Sequence, residues 1–155
     1  MLEIGQSAPG FSAPDQEENL VSSADFASRW LVLYFYPKDD TPGCTTEAKD
    51  FSSYYQQFKD LSGSILGVSP DSTKSHCRFI EKHDLSIQLL SDPDHIIAEA
   101  YKVWGLKKFM GKEYMGIIRS TFLIDTGGKI ACIWPNVKTK GHAETVLNKL
   151  TTLVG

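Results

Sequence analysis

Three cysteines, no strongly charged run and no long apolar segment: each shortage in this chain removes a class of function. Cys44, Cys77 and Cys132 form an odd set without paired spacing, which argues against a disulfide-stapled secreted scaffold and for a reducing, cytoplasmic setting. No Cys-x-x-Cys is present, so a disulfide reductase or isomerase of that type is disfavoured. Lys and Arg number 16 against 19 Asp and Glu, a formal charge of −3, and no basic run points to nucleic acid as a partner. The longest apolar stretch, Trp30 to Tyr36, falls far short of the ~20 residues that span a bilayer. Met1 to Gln6 lacks the basic and apolar regions of a secretory signal, so neither membrane nor export is expected. No flavin, haem or nicotinamide motif appears, and Thr126-Gly127-Gly128 is a hairpin turn, not a phosphate loop. His76, His83, His95 and His142 are scattered without zinc-like spacing, so neither cofactor nor metal is expected.

What is present reads as one α/β domain over residues 1–155, with 41% hydrophobic and 23% charged residues. Trp30 to Tyr36 is a buried strand ended by Pro37, and Ser64 to Ser69 is a second one halted by Pro70. Asp71 or Ser72 caps a helix running to about Asp84, and Ile87 to Leu90 is a short extended piece. Asp92-Pro93-Asp94 predicts a helix start leading through Ile97, Ala98 and Tyr101 to Gly105. Lys107 to Gly116 is expected to be a mobile loop. Ser120–Ile124 and Lys129–Trp134 flank a glycine-containing turn as a hairpin, and a last helix spans roughly His142 to Leu153. Two parallel-style crossovers, a hairpin and a closing helix predict a mixed sheet covered by helices on both faces, the thioredoxin-like arrangement.

The chemistry concentrates at Thr41-Pro42-Gly43-Cys44. Ala48, Phe51, Tyr55 and Phe58 follow at spacings of three and four, so a helix begins close to Cys44. A sulfur there meets unpaired backbone N–H groups and the positive end of the helix dipole, which favour thiolate over thiol. The surrounding polar loop argues against burial of Cys44. Taken alone, Thr41 reads as a loop or capping residue, Arg119 as a solvated strand-edge charge and Glu47 as a residue that favours the helix dipole.

Phe35-Tyr36-Pro37-Lys38-Asp39-Asp40-Thr41-Pro42-Gly43-Cys44-Thr45-Thr46-Glu47 resembles the signature of the peroxiredoxins, of the AhpC/TSA superfamily, in their bacterioferritin-comigratory or PrxQ-type branch. The resemblance continues through Gly67-Val68-Ser69, Leu89-Leu90-Ser91-Asp92, Val103-Trp104-Gly105, Arg119 to Asp125 and Gly141-His142. It implies a thiol-dependent peroxidase that reduces hydrogen peroxide and organic hydroperoxides in antioxidant defence and redox homeostasis. In it the Cys44 thiolate becomes a sulfenic acid, recycled by thioredoxin, glutaredoxin or a small thiol. It further implies that Thr41 and Arg119 supply donors to the peroxide oxygens, and that Pro37 and Pro42 shape the loop and shield the sulfur. Relatives of this type are monomers or dimers.

Many members carry a resolving cysteine five residues after the first, where this chain has Lys49. Resolution by an external thiol, by Cys77 or by Cys132 therefore stays open. Cys77 lies three residues before Ile80, on what reads as the apolar stripe of its helix, and Cys132 falls within a strand. Two other functions compete: a copper carrier, disfavoured because Ala48 stands four residues after Cys44, and a redox-regulated holdase.

Overall fold

The architecture, a computed structural model that describes residues 2–155, is organised by one strand made only of apolar and aromatic residues. This strand, β3 (Trp30–Phe35), is the middle of a five-stranded mixed sheet. Alternate residues of a strand face opposite ways. Leu31, Leu33 and Phe35 accordingly enter one core layer, and Val32 and Tyr34 enter the other. Both faces are covered, which is why the run shows no polar–apolar alternation.

β4 (Gly63–Ser69) pairs in parallel on one side of β3, followed outward by β5 (Gln88–Ser91). β8 (Ser120–Ile124) and β9 (Ile130–Trp134) lie antiparallel on the other side, giving the order β5-β4-β3-β8-β9. Helices α1 (Pro42–Ser53) and α2 (Tyr55–Asp60) form the first crossover and α3 (Thr73–His83) the second. Together with α5 (His142–Val154) they pack Ala48, Phe51, Phe58, Phe79, Val146 and Leu150 on the Val32–Tyr34 face. The opposite face receives Ile97 and Ala98 of α4 (Ile96–Ala100) and Phe11, Ala13 and Val21 of an N-terminal hairpin, β1 (Ser12–Pro14) and β2 (Leu20–Ser22). The chain thus has the α/β, thioredoxin-like fold that the sequence predicts.

Two local expectations are corrected, and the choice between two caps for α3 is decided. Residues 107–116 are not a loop: β6 (Trp104–Phe109) and β7 (Lys112–Ile117) pair from Trp104↔Ile117 to Phe109↔Lys112. Met110 and Gly111, with φ of 51° and 78°, make the two-residue turn that suits the strand twist. The helix foreseen from Asp92 to Gly105 is only α4. His95 takes a left-handed φ of 61° before it, and the Asp92 carboxylate accepts the N–H groups of Ile97 and Ala98 at 3.2 and 3.0 Å. Lys102, with φ 61°, turns the chain after it. Of the two candidate caps for α3, Ser72 accepts the Ser75 N–H at 3.1 Å, while Asp71 accepts from Ser69 and from the Asp39 N–H. Among the described residues no helix is long and apolar enough to cross a membrane.

Candidate active site

The segment between β3 and α1 crosses the end of the sheet and delivers Cys44 to the third position of the helix. Thr41 is the N-cap, with φ −92° and ψ 155°, and Pro42 opens the first turn, where its missing N–H costs nothing. Thr45 N–H donates to the Thr41 carbonyl at 2.8 Å, closing the first turn around the cysteine.

Cys44 is 1% exposed, contrary to the expectation of an open thiol. The stripe Cys44, Ala48 and Phe51 packs onto Tyr34 and Tyr36, and this apolar face outweighs the polar loop that precedes it. Burial of a charged sulfur demands a partner. Arg119, immediately before β8, provides one: Nη2 donates to Cys44 Sγ at 3.1 Å. Its Nη1 donates to Glu47 Oε1 at 2.7 Å, one turn along α1. The fork of a guanidinium can hold two acceptors at fixed angles, as an ammonium cannot. Burial works against the charge of Arg119, but the negative charges of Cys44 and Glu47 raise its pKa on balance.

From the sequence Glu47 reads as a helix-dipole residue, yet it is 1% exposed and bonded to Arg119. Burial pushes its carboxyl up to about 7 against the opposing pull of Arg119, and its Oε2 has no hydrogen-bond partner among the described residues. Its spacing of three from Cys44, on the same face of a helix, is the signal that could have found it. Tyr34, stacked on Tyr36 and Phe51, is also fully buried, and among the described residues its hydroxyl has no partner.

The other expected residues divide. Thr41 is half-exposed, and its hydroxyl donates to the Lys38 carbonyl at 2.9 Å. Pro37 is half-buried, and Pro42 is exposed at the helix start. Cys77 does not lie on the buried stripe of α3, which is formed by His76 and Phe79. It is half-exposed instead, with Sγ 3.6 Å from Glu81 Oε1; burial and the Glu81 charge push its thiol up. Cys132 is half-buried on β9, its thiol likewise raised by burial. His142 is the first residue of α5, with Nε2 2.8 Å from Thr121 Oγ1. Burial and the Arg119 charge lower it to about 4, which favours the neutral imidazole near neutral pH.

A second buried cluster braces the loop before Cys44. Asp39 accepts the hydroxyl protons of Tyr36 and Ser75 at 2.6 and 2.8 Å, and His76 Nδ1 lies 2.7 Å from its Oδ2. His76 Nε2 donates to the Leu90 carbonyl at 2.9 Å. Asp39, Asp71 and His76 present ligand-type atoms within 4.8 Å of one another. Their carboxylates already face the donors of Ser69, Ser75 and the Asp39 backbone, so the cluster is a hydrogen-bond hub. The neighbouring Asp40 accepts from Lys82 Nζ at 2.6 Å and sits 2.7 Å from His83 Nε2, further tying the loop to α3.

An arginine that grips a helix-start thiol from across a thioredoxin-like sheet points to the thiol peroxidases. Residues 4–133 match the AhpC/TSA family. Peroxiredoxin Bcp of Bacillus subtilis strain 168 is 50% identical over 149 residues, covering 96% of this chain and 95% of the relative. The solved PrxQ of Xylella fastidiosa, a cysteine-to-serine variant, superposes with a TM-score of 0.95 at 38% identity, covering 100% of this chain and 99% of that one. The bacterioferritin comigratory protein of Xanthomonas campestris, studied for its alkyl peroxide reduction activity, gives 0.92 at 37% identity over 99% of this chain and 100% of its own. The chain belongs to the AhpC/TSA family, in the peroxiredoxin branch named Bcp or PrxQ. It is therefore a thiol peroxidase, an oxidoreductase that spends a cysteine on each peroxide.

Proposed function

We propose that Cys44 is the peroxidatic nucleophile and that Arg119, with Thr41 at the rim, handles the charge that moves during attack. The Sγ–Nη2 contact of 3.1 Å is the observation that carries this reading. The thiolate attacks the terminal peroxide oxygen. A sulfur–oxygen bond forms as the oxygen–oxygen bond breaks, and the leaving hydroxide or alkoxide takes a proton to become water or an alcohol. Sulfur is oxidised to sulfenic acid, and the peroxide is reduced by two electrons. Arg119 offers fixed N–H donors where negative charge passes from sulfur to the leaving oxygen, so little reorganisation is required. Thr41 joins once its hydroxyl turns from Lys38 to the substrate. Pro42, exposed over the first turn, and Pro37 shape the approach. Hydrogen peroxide and organic hydroperoxides both fit this chemistry.

The sulfenic acid is resolved by an outside thiol: thioredoxin, glutaredoxin or a small thiol of a cytoplasmic, monomeric protein. Two features support this. Lys49 replaces the resolving cysteine on α1, and the raised thiols of Cys77 and Cys132 make both slow nucleophiles. A Cys44–Cys77 disulfide would need Cα atoms within about 7 Å.

Intact mass of the reduced protein after one equivalent of hydrogen peroxide, with and without dimedone, tests the reading. A dimedone adduct on Cys44 is expected. Loss of two hydrogens without an adduct would transfer resolution to Cys77 or Cys132, and an unchanged mass would remove Cys44 from its role.

A further inference from the structure

The hairpin β6–β7 exposes most of its outer side chains: Leu106, Phe109, Met110, Tyr114 and Met115 are all at least 46% exposed. Lys107 is the exception in its outer half. It is half-buried, and its Nζ donates to the Ile117 carbonyl at 2.9 Å, two residues before Arg119.

A pair of glycines makes this possible. Gly105 and Gly116 face each other in the hairpin register. A Cβ on Gly116 would meet Lys107 Cδ at 3.0 Å, and one on Gly105 would meet Ile118 Cδ1 at 2.8 Å. The side chains of Lys107 and Ile118 thus lie in the space that two missing methyl groups leave, and each closes over the base of the hairpin. The backbone there is held from other sides too: Ile118 N–H donates to the Val103 carbonyl at 2.7 Å, and Val137 N–H to the Arg119 carbonyl at 2.8 Å. These bonds therefore converge on Ile117–Arg119, the segment that ends in the guanidinium.

We propose that Lys107 is a positioning residue of the peroxidase site: its ammonium anchors the Ile117–Arg119 backbone and so holds the guanidinium at the Cys44 sulfur. This rests on Cys44 being the nucleophile. The electrostatics agree with the geometry. Burial and the Arg119 charge lower the Lys107 ammonium, and the negative charge of Cys44 raises it, so the three groups feel one another. The other titratable groups at the sulfur are Glu47 and Tyr34, and Tyr114 stands opposite Lys107 in the hairpin. A long cationic side chain that bends inward from an exposed strand forgoes hydration and rotamer freedom. The bond to the Ile117 carbonyl offsets part of that loss.

The test is the pH midpoint of Cys44 alkylation by iodoacetamide, read by mass on tryptic peptides, with kcat/KM for hydrogen peroxide measured in parallel. Lys107→Met keeps the stem and removes the charge and donor. The midpoint is expected to rise by about half a pH unit, about a threefold loss of thiolate below the midpoint. Peroxide kcat/KM at pH 6 falls in proportion. Lys107→Arg, which keeps the charge, is expected to stay near the parent value, and Lys107→Gln repeats the measurement if the methionine variant is unstable. A parental midpoint in Lys107→Met or Lys107→Gln overturns the proposal, as does an equal shift in Lys107→Arg. The alkylation midpoint needs no turnover, so this failure differs from that of the underlying reading, which would appear as peroxide consumption surviving Cys44→Ser.

Discussion

The two crossovers of the sheet each carry a cysteine near the start of a helix, and the two thiols have opposite surroundings. After β3, Cys44 stands third in α1, buried, with a guanidinium on its sulfur. After β4, Cys77 stands fifth in α3, half-exposed, beside the carboxylate of Glu81. Cys44 lies within the first turn of its helix, where the dipole acts, and Cys77 just beyond that turn, where the field has fallen off. The sign of the nearest side-chain charge and the face of the helix separate them further. A strand–loop–helix unit supplies a place for a thiol, and a residue from elsewhere in the fold decides whether that thiol reacts.

The sharpest way to break the comparison is to exchange the thiols' importance. Cys44→Ser is expected to abolish peroxide consumption. Cys77→Ser should leave the rate of the first oxidation, followed by stopped-flow fluorescence, within about twofold of the parent, since its thiolate is disfavoured. An equal loss in both variants would erase the distinction.

Next in size is the arginine. Arg119→Ala removes the preorganised donors and is expected to lower kcat/KM by about 10²–10³. Arg119→Lys keeps a charge without the fork and should fall between. Parental turnover in Arg119→Ala would show that the helix start alone suffices.

A third prediction concerns Glu47, which is buried beside Arg119, whereas Glu81 at Cys77 is exposed. Its carboxyl rises from 4.5 to about 7 on folding, so the folded state binds the extra proton between those values. This contribution is complete below pH 4.5 and is lost as pH climbs through about 7. Its upper limit is about 3 kcal/mol, from the shift alone. Glu47→Gln, which keeps an acceptor for Arg119, should flatten that part of the stability curve in urea titrations from pH 4 to 8. An identical slope would deny the buried carboxyl its role. The smallest effect is expected at Glu81→Gln: with the nearby charge gone, Cys77 should react about twofold faster with iodoacetamide at pH 8.

Much of this contrast was written in local sequence. The unbroken apolar run of β3 announces a strand buried on both faces, and Pro42-Gly43-Cys44 announces a helix start with a thiol in it. The turn at Thr126-Gly127-Gly128 places β8 and β9. What could not be read locally depends on pairing across the sheet. Arg119 and Glu47 are 72 residues apart, and no periodicity connects them. The burial of Cys44 arises from α1 packing on Tyr34 and Tyr36, a tertiary contact that overrides a polar loop. The spacing of Cys77 from Ile80 suggests an apolar stripe, but the buried positions of α3 go to Phe79 and to His76, a polar residue whose two ring nitrogens find partners there. The β6–β7 hairpin escaped because Met110-Gly111 lacks the usual Asn-Gly or Asp-Gly turn signal.

The Asp39 hub carries a consequence for how the molecule breathes. One carboxylate gathers Tyr36, Ser75 and His76, its own N–H goes to Asp71, and Asp40 reaches Lys82 and His83. The segment that leads into Cys44 and the whole length of α3 are thereby stitched along two lines. Segments joined this densely open together, as one cooperative unit, and not strand by strand. Amide hydrogens over 38–41 and over 75–83 are expected to exchange with solvent at a common rate set by a single opening event. Whatever loosens α3, whether heat, denaturant or a partner pulling on its exposed face, therefore also slackens the approach to the nucleophile on the neighbouring helix.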